Sequence, residues 1–290
     1  MTAASLPLLE VRDLEIAFPA GKGWSPVVRG ATFDVGRGEV VGLVGESGSG
    51  KTLTALSLLG LVPPPGRVTA GSARLQPAAT AAMAAMAATG DAAGAVDLLR
   101  LDPRGLRAVR GGRIGLVFQE PATAFNPVYT IGFQIAEAVR AHRPVSRREA
   151  REEAARLLDR VALADARRRL DDYPHQLSGG QRQRAMIAMA LAGGPDLLLA
   201  DEPTTALDVT LQAQILELLD ELRRGLGLAV LLITHDLGVV AEACDRVVVM
   251  HAGRVVETAA VGELFRAPAH PYTRELLDAL PHLGVGAGAA

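Results

Sequence analysis

The sequence predicts an α/β fold in which helices cover a mostly parallel sheet. Three observations lead there. Apolar runs of four or five residues recur at Val40–Val44, Ile114–Phe118, Leu197–Ala200, Ala229–Ile233 and Val247–Met250, the pattern of strands buried on both faces. Stretches of helical period separate most of them, as in sheets built from strand–helix–strand units. The first run passes directly into Gly45-Glu46-Ser47-Gly48-Ser49-Gly50-Lys51-Thr52 and then into another helical stretch. Strand, glycine loop and helix in that order is the context a phosphate loop requires.

Taken in order, residues 8–18 alternate apolar and polar (Leu9, Val11, Leu14, Ile16, Phe18) and predict a strand. A glycine- and proline-bearing turn is expected from Pro19 to Pro26, then a strand over Val27–Val35. Gly36-Arg37-Gly38 makes the tight turn before the next strand. The glycines of the loop after Val44 let successive backbone N–H groups turn inward around a phosphate, and the helix N-terminus adds partial positive charge. Lys51 is placed to reach the β- and γ-phosphates, and Thr52 to offer a hydroxyl to Mg2+. The following helix should run from Leu53 to Leu61, before Pro63-Pro64-Pro65. Residues 76–95 are alanine-rich with little bulk to bury, and read as a partly disordered surface insertion without chemistry.

Beyond it, the strand at Ile114 ends at Gln119. A helical pattern crowded with charge extends from Ile131 to about Leu170. Its arginines (147, 148, 151, 156, 160) interleave with Glu149, Glu152, Glu153 and Asp159, which reads as a solvated face with i,i+4 pairs rather than a nucleic-acid patch. Ser178 is placed to cap a helix that reaches Leu191, with Gly193-Gly194 as its stop. The strand from Leu197 ends in Asp201-Glu202-Pro203. A helix over about Thr210–Arg223 leads to the strand that ends at Thr234-His235.

Composition narrows the classes. A net charge of −2 gives no basic footprint for nucleic acid, and 3% aromatic residues leave few rings to stack bases. Cys244, the one cysteine, can form neither an internal disulfide nor a cluster, which suits a reducing compartment. Its apolar surroundings predict a buried, unreactive thiol. No signal-peptide pattern is read in Met1–Glu10. No run approaches the ~18 apolar residues of a membrane-spanning helix.

Ligands of open parallel sheets bind beyond the carboxyl ends of the strands. The glycine loop, Gln119, Asp201-Glu202 and His235 all fall there. Transfer of a phosphoryl group to water needs neutralised phosphates, a metal with oxygen ligands and an aligned water. Lys51 would supply charge, and Thr52, Gln119 and Asp201 the metal's ligands, Asp201 through a water. Glu202 is placed to polarise the attacking water. His235 would hold water and Glu202 in register and stabilise developing charge. Phe18 and Trp24 are candidates to stack on an adenine ring, or else to pack on the sheet.

These motifs, with Leu177-Ser178-Gly179-Gly180-Gln181 and Ala206-Leu207-Asp208, resemble the motif set of ABC-transporter ATPase subunits across residues 8–256. The Leu-Ser-Gly-Gly-Gln string is the most specific of them. The resemblance implies a P-loop NTPase with a RecA-like core, a small antiparallel β-subdomain and an inserted helical subdomain over about 120–185. It implies an ATPase domain over 1–256 with a short tail over 257–290, using ATP and Mg2+. It also implies a head-to-tail dimer of identical or homologous subunits that sandwiches two ATPs. Ser178, Gly180 and Gln181 would then contact the ATP held by the opposite subunit, with Asp208 at the interface. Phe18 matches the family's adenine-stacking aromatic better than Trp24.

At a finer level, Gln119–Pro127 and His270-Pro271-Tyr272-Thr273-Arg274-Glu275-Leu276-Leu277 are similar to segments of the oligopeptide, dipeptide and nickel importer ATPases. Many of those carry a cysteine cluster beyond the tail. Its absence here implies no iron–sulfur cluster, as in the shorter nickel-type subunits. The implied role is a peripheral subunit on the cytoplasmic face of the cell membrane. It would energise import of peptides or a related small solute, nickel included, through a separate membrane permease. An extracytoplasmic solute-binding protein would act indirectly, and nucleic acid is not an expected partner. Two alternatives stand beside it: a soluble ABC ATPase of translation or DNA repair, and an accessory ATPase of phosphonate breakdown.

Overall fold

The computed structural model describes residues 6–21, 23–77, 94–205 and 207–279. Its strands are β1 (Leu9–Ala20), β2 (Gly23–Val35), β3 (Val40–Val44), β4 (Arg67–Leu75), β5 (Val96–Asp97), β6 (Ile114–Val117), β7 (Leu197–Asp201), β8 (Ala229–Thr234), β9 (Arg246–His251) and β10 (Arg254–Ala260). The short apolar runs form a six-stranded sheet in the order β10-β9-β3-β8-β7-β6, parallel except for the hairpin strand β10. Side chains alternate between its faces, so each run feeds two cores. Val41, Leu43, Leu197, Leu199, Leu231 and Ile233 pack towards the second sheet. Leu198, Ala200, Val230 and Leu232 pack towards helices on the other side. This double burial is why the runs show no polar alternation.

Register brings the strand ends together. Val44 pairs with Thr234, Asp201 with Ile233 and Val117 with Ala200. The glycine loop, Glu202, His235 and the segment at Gln119 therefore leave the sheet along one edge.

The second sheet is antiparallel, in the order β2-β1-β4-β5. The expected turn from Pro19 to Pro26 is shorter than its composition suggests, because pairing continues to Ala20↔Gly23. Both prolines are tolerated where no ladder bond is required of them. Pro26 lies on the edge strand β2, and Pro19 lies past Ala17↔Arg67, the last pair that β1 makes with β4.

The helices are α1 (Lys51–Leu58), α2 (Pro103–Val109), α3 (Pro121–Ala124), α4 (Ile131–His142), α5 (Arg147–Arg160), α6 (Ala166–Arg169), α7 (Gly179–Ala190), α8 (Val209–Leu226), α9 (Leu237–Ala243), α10 (Val261–Arg266) and α11 (Pro271–Asp278). Helix α1 starts at Lys51, earlier than Leu53, and ends before Leu61 because Gly60 takes a left-handed φ of 61°.

The single helical stretch expected over 131–170 is three helices. Pro144 disfavours helix at Arg143, and Ser146 restarts it with a capping box to Glu149. Ala162 and Asp165, at φ 52° and 57°, make the second break. The interleaved charges pair mainly across those breaks, Arg151 with Asp171 and Arg167 with Glu152, instead of at i,i+4. Arg156–Glu153 is an i,i+3 pair. Helices α4, α5, α7 and α8 turn Ile135, Val139, Ala154, Leu158, Met186 and Leu219 into one core with the sheet.

At the C-terminal side, α10 and α11 pack Leu264 and Tyr272 against Val44, Val247 and Val249. Most of the alanine-rich segment, residues 78–93, and the last residues of the tail, 280–290, lie outside the described residues. No described helix is long and apolar enough to cross a membrane.

Candidate active site

The glycine loop is shaped by what surrounds it. Gly45 has φ 146°, and a Cβ there would lie 2.1 Å from the Met250 carbonyl oxygen, so only glycine fits. Gly50, at φ 103°, caps α1 in a conformation that opens the helix N-terminus towards the loop. Ser49 Oγ is buried without a hydrogen-bond partner, an unsatisfied group of the kind a ligand would complete. Lys51 is 6% exposed, and its Nζ donates to the carbonyls of Gly45 (2.7 Å) and Glu46 (2.9 Å). Burial draws its ammonium below the ordinary lysine value, against the nearby charges of Glu202, Asp201 and Glu46.

Across from the loop, the Thr52 hydroxyl donates to Asp201 Oδ1 at 3.2 Å. Burial raises the Asp201 carboxyl, and the Glu202 charge adds to it, against the Thr52 hydrogen bond and Lys51. Glu202 follows in the left-handed region at φ 46°, which costs a non-glycine residue about 1–3 kcal/mol. Its backbone N–H is held by the Ile233 carbonyl at 2.9 Å. Three side chains grip its carboxylate. Gln119 Nε2 (3.0 Å) and Thr205 Oγ1 (2.8 Å) donate to Oε2, and His235 Nδ1 lies 3.0 Å from Oε1. Burial alone would raise this carboxyl, but the His235 and Thr205 hydrogen bonds outweigh it and hold it below the usual range. The result is an ionised carboxylate beside the Lys51 ammonium.

A hard dication takes oxygen ligands. The Thr52 hydroxyl and the Asp201 carboxylate, 3.2 Å apart, would offer such ligands, with the Gln119 amide oxygen as a third, and Asp201 retains lone pairs beyond its one hydroxyl donor. Among the described residues no group of three or more His, Cys, Asp or Glu side chains could hold a metal, so a cation here would rest on this mixed set.

The structure thus brings Lys51, Thr52, Gln119, Asp201, Glu202 and His235 together. Ser178, Gly180 and Gln181 stand elsewhere, at the start of α7. Ser178 caps that helix reciprocally with Gln181 (3.3 and 3.0 Å). A Cβ on Gly180 would meet Leu211 of α8, and Asp208 caps α8 through the Leu211 amide. Among the described residues no hydrogen bond joins this group to the loop. Ala206 lies outside the described residues. Phe18 rests on Gly66, where a Cβ would collide with its ring, and Trp24 lies beneath the Arg67 guanidinium at 3.7 Å.

Two contacts escape the sequence reading. Thr205 sits one turn past Glu202 and could have been sought there as a local hydroxyl donor. Tyr272, whose hydroxyl accepts from the Glu46 amide, is 226 residues away, and no local signal announces it.

This combination of loop, acids and fold defines a phosphate-loop ATPase. The chain belongs to the ABC transporter family, whose model matches residues 28–205, and it is an ATP-binding ATPase of that family. It is 52% identical over 94% of its length to a probable peptide ABC transporter ATP-binding protein of Sinorhizobium fredii (y4tR), covering 77% of that protein. It is likewise 52% identical over 96% of its length to a Brucella melitensis protein whose name assigns it to peptide import, covering 79% of it. Among solved structures, it resembles the dimeric ATP-binding cassette MJ0796 in a post-hydrolysis state bound to ADP and Pi. That match has a TM-score of 0.71 and 27% identity, and covers 87% of this chain and 98% of the other. CbiO1 of Clostridium perfringens, part of the transporter complex cbiONQ, matches with a TM-score of 0.71 and 25% identity over 89% and 90% of the two chains.

Proposed function

We propose that this protein is the ATPase subunit of a peptide importer, working at the cytoplasmic face of the cell membrane beside a separate permease. The observation that carries the ATPase half of this reading is the grip of Gln119, Thr205 and His235 on Glu202, beside Lys51 and Thr52. The names of relatives 52% identical over nearly the whole chain support the peptide half.

In this reading, Gly45 to Thr52 cradles the ATP phosphates and Lys51 leaves its two carbonyls to meet them. Phe18 stacks on adenine. Thr52 and Gln119, with Asp201 through a water, would hold Mg2+, which would supply charge neutralisation at the phosphates. Glu202 accepts the proton of the attacking water, with His235 holding the pair in register. The base is ready at neutral pH because its partners keep its carboxyl low.

Ser178, Gly180 and Gln181 complete the site of a second cassette in a head-to-tail dimer, with Asp208 at the seam. The lack, among the described residues, of any hydrogen bond from them to the loop of their own chain, and the dimeric state of the MJ0796 cassette, support this. The domain organisation follows: an ATPase domain over 1–256, its helical subdomain over about 120–185, and a tail over 257–290. The permease meets the helical side, where Val128 is 69% exposed and Tyr129 and Phe133 stack in the open at 4.8 Å. Exposed apolar clusters of this kind mark interaction sites.

The test is purification with the membrane fraction and the permease candidates, then reconstitution in vesicles. Uptake of a labelled peptide pool that needs internal ATP and intact Glu202 is expected. ATP hydrolysis without any copurifying membrane protein or peptide uptake would overturn the importer reading.

A further inference from the structure

Among the described residues, Tyr272 supplies the only side chain from outside Gly45–Thr52 that hydrogen-bonds to the loop backbone. Its hydroxyl accepts from the Glu46 N–H at 3.0 Å. That N–H and the Gly45 carbonyl belong to a single planar peptide group. The carbonyl end is held by Lys51 Nζ at 2.7 Å. The plane that opens the loop is therefore clamped at both ends, by a phenol on one side and an ammonium on the other.

The phenol is rigidly mounted. Tyr272 is 5% exposed and packs on the His251 ring, with centroids 3.9 Å apart. It shares a core with Val44, the residue just before the loop. Its helix α11 is capped by His270 Nδ1, which accepts from the Tyr272 amide at 3.2 Å. The approach to that helix is tied to β10 by Glu257, whose carboxylate accepts from the amides of Ala269 (2.8 Å) and His270 (2.9 Å).

The two clamps differ in what ATP does to them. If Lys51 turns to a phosphate, the Gly45 carbonyl is released, and Gly45 sits at a φ of 146° with no side chain to resist reorientation. Only the tyrosine then remains on the plane. We propose that Tyr272 is a positioning residue for ATP: it holds the Gly45–Glu46 peptide in its phosphate-receiving orientation after Lys51 departs. The inference rests on the reading of Gly45–Thr52 as the ATP loop. It assigns helix α11 a part in nucleotide affinity and none in the proton transfer at Glu202.

Four forms of the full chain test it: wild type, Tyr272→Phe, Leu276→Ala and Lys51→Ala. ATP affinity is measured by equilibrium titration, KM and kcat by phosphate release, and Tm by thermal melting. Tyr272→Phe keeps the ring and its packing and removes one hydrogen bond, so ATP Kd and KM should rise about threefold to tenfold. Its kcat should stay within about twofold. Leu276→Ala loosens the same core without touching the hydroxyl, and should lower Tm while leaving KM unchanged. A folded Tyr272→Phe protein with wild-type Kd and KM overturns the proposal. So does a Leu276→Ala protein whose KM rises as far, because the tail would then act through packing alone. Lys51→Ala separates the two levels of the argument. ATP affinity unchanged in that variant would sink the loop assignment itself, whereas weakened binding there beside an unaffected Tyr272→Phe sinks only the tyrosine.

Discussion

Replacing Glu202 by Gln isolates the proton-accepting role from the architecture around it. Gln119 and Thr205 both donate to one carboxylate oxygen, and an amide oxygen in that position can accept both bonds. The amide NH2 would then face His235 Nδ1, which accepts in its other tautomer. The variant should fold, and nothing in the phosphate loop changes. What disappears is a carboxylate whose partners keep it ionised. Loss of a general base costs at least about 10²-fold in turnover, or about 2.7 kcal/mol at 1.36 kcal/mol per decade. Steady-state phosphate release at saturating ATP should show that fall, with ATP affinity retained.

The linkage has a definite sign. A depressed carboxyl contributes stability that is present above its unfolded pKa and is lost as pH falls through its folded value. The Tm difference between wild type and Glu202→Gln should therefore shrink in acid, as pH falls below the ordinary glutamate range. Wild-type turnover in the Gln variant would refute the assignment.

Other perturbations follow from the same contacts. Thr205→Val removes one of the three donors to Glu202 and should slow turnover about threefold to tenfold, less than Glu202→Gln does; an equal loss would mean that Thr205 acts directly. Gly45→Ala drives a Cβ to 2.1 Å from the Met250 carbonyl and should destabilise the protein by about 2 kcal/mol or more, read as a lowered Tm. A Tm equal to wild type would show that the loop can move aside. Burial pushes the Cys244 thiol up to about 12, so at pH 8 iodoacetamide should leave the native protein unlabelled while labelling the denatured chain. Iron and sulfide in anaerobically purified protein are expected at background, because the one cysteine of this sequence cannot supply a cluster's thiolates; stoichiometric iron would contradict that expectation.

Much of this site is readable from sequence because its pieces are local. The glycine loop, the acids after Ala200 and the histidine after Thr234 each follow a short apolar run, and parallel pairing aligns the ends of those runs. The Ser178 cap is local too, since donor and acceptor are three residues apart. Elsewhere local rules compete. Pro19 and Pro26 suggest a turn, but edge and end positions in the sheet absorb both. The charged stretch after Ile131 has a helical period throughout, and only the backbone at Ala162 and Asp165 reveals its second break. The grip of Thr205 on Glu202 depends on a left-handed φ that no residue preference would predict for glutamate. The Tyr272 contact depends on how the tail folds back over β9, and that is settled by packing across the whole chain.

The measurement closest to the central claim uses mixed dimers. Lys51→Ala disables the loop of its own chain, and Ser178→Arg disables the helix start that the account assigns to the facing chain's ATP. With one change on each chain, both lesions fall on the same nucleotide, and the other site keeps an intact loop and an intact Ser178. With both changes on one chain, each site carries a lesion. If the natural partner is a different subunit, the second change is made in that partner. Phosphate release should be higher with the lesions on opposite chains. Equal rates in the two arrangements, from dimers that still form and bind ATP, would contradict a site shared between chains.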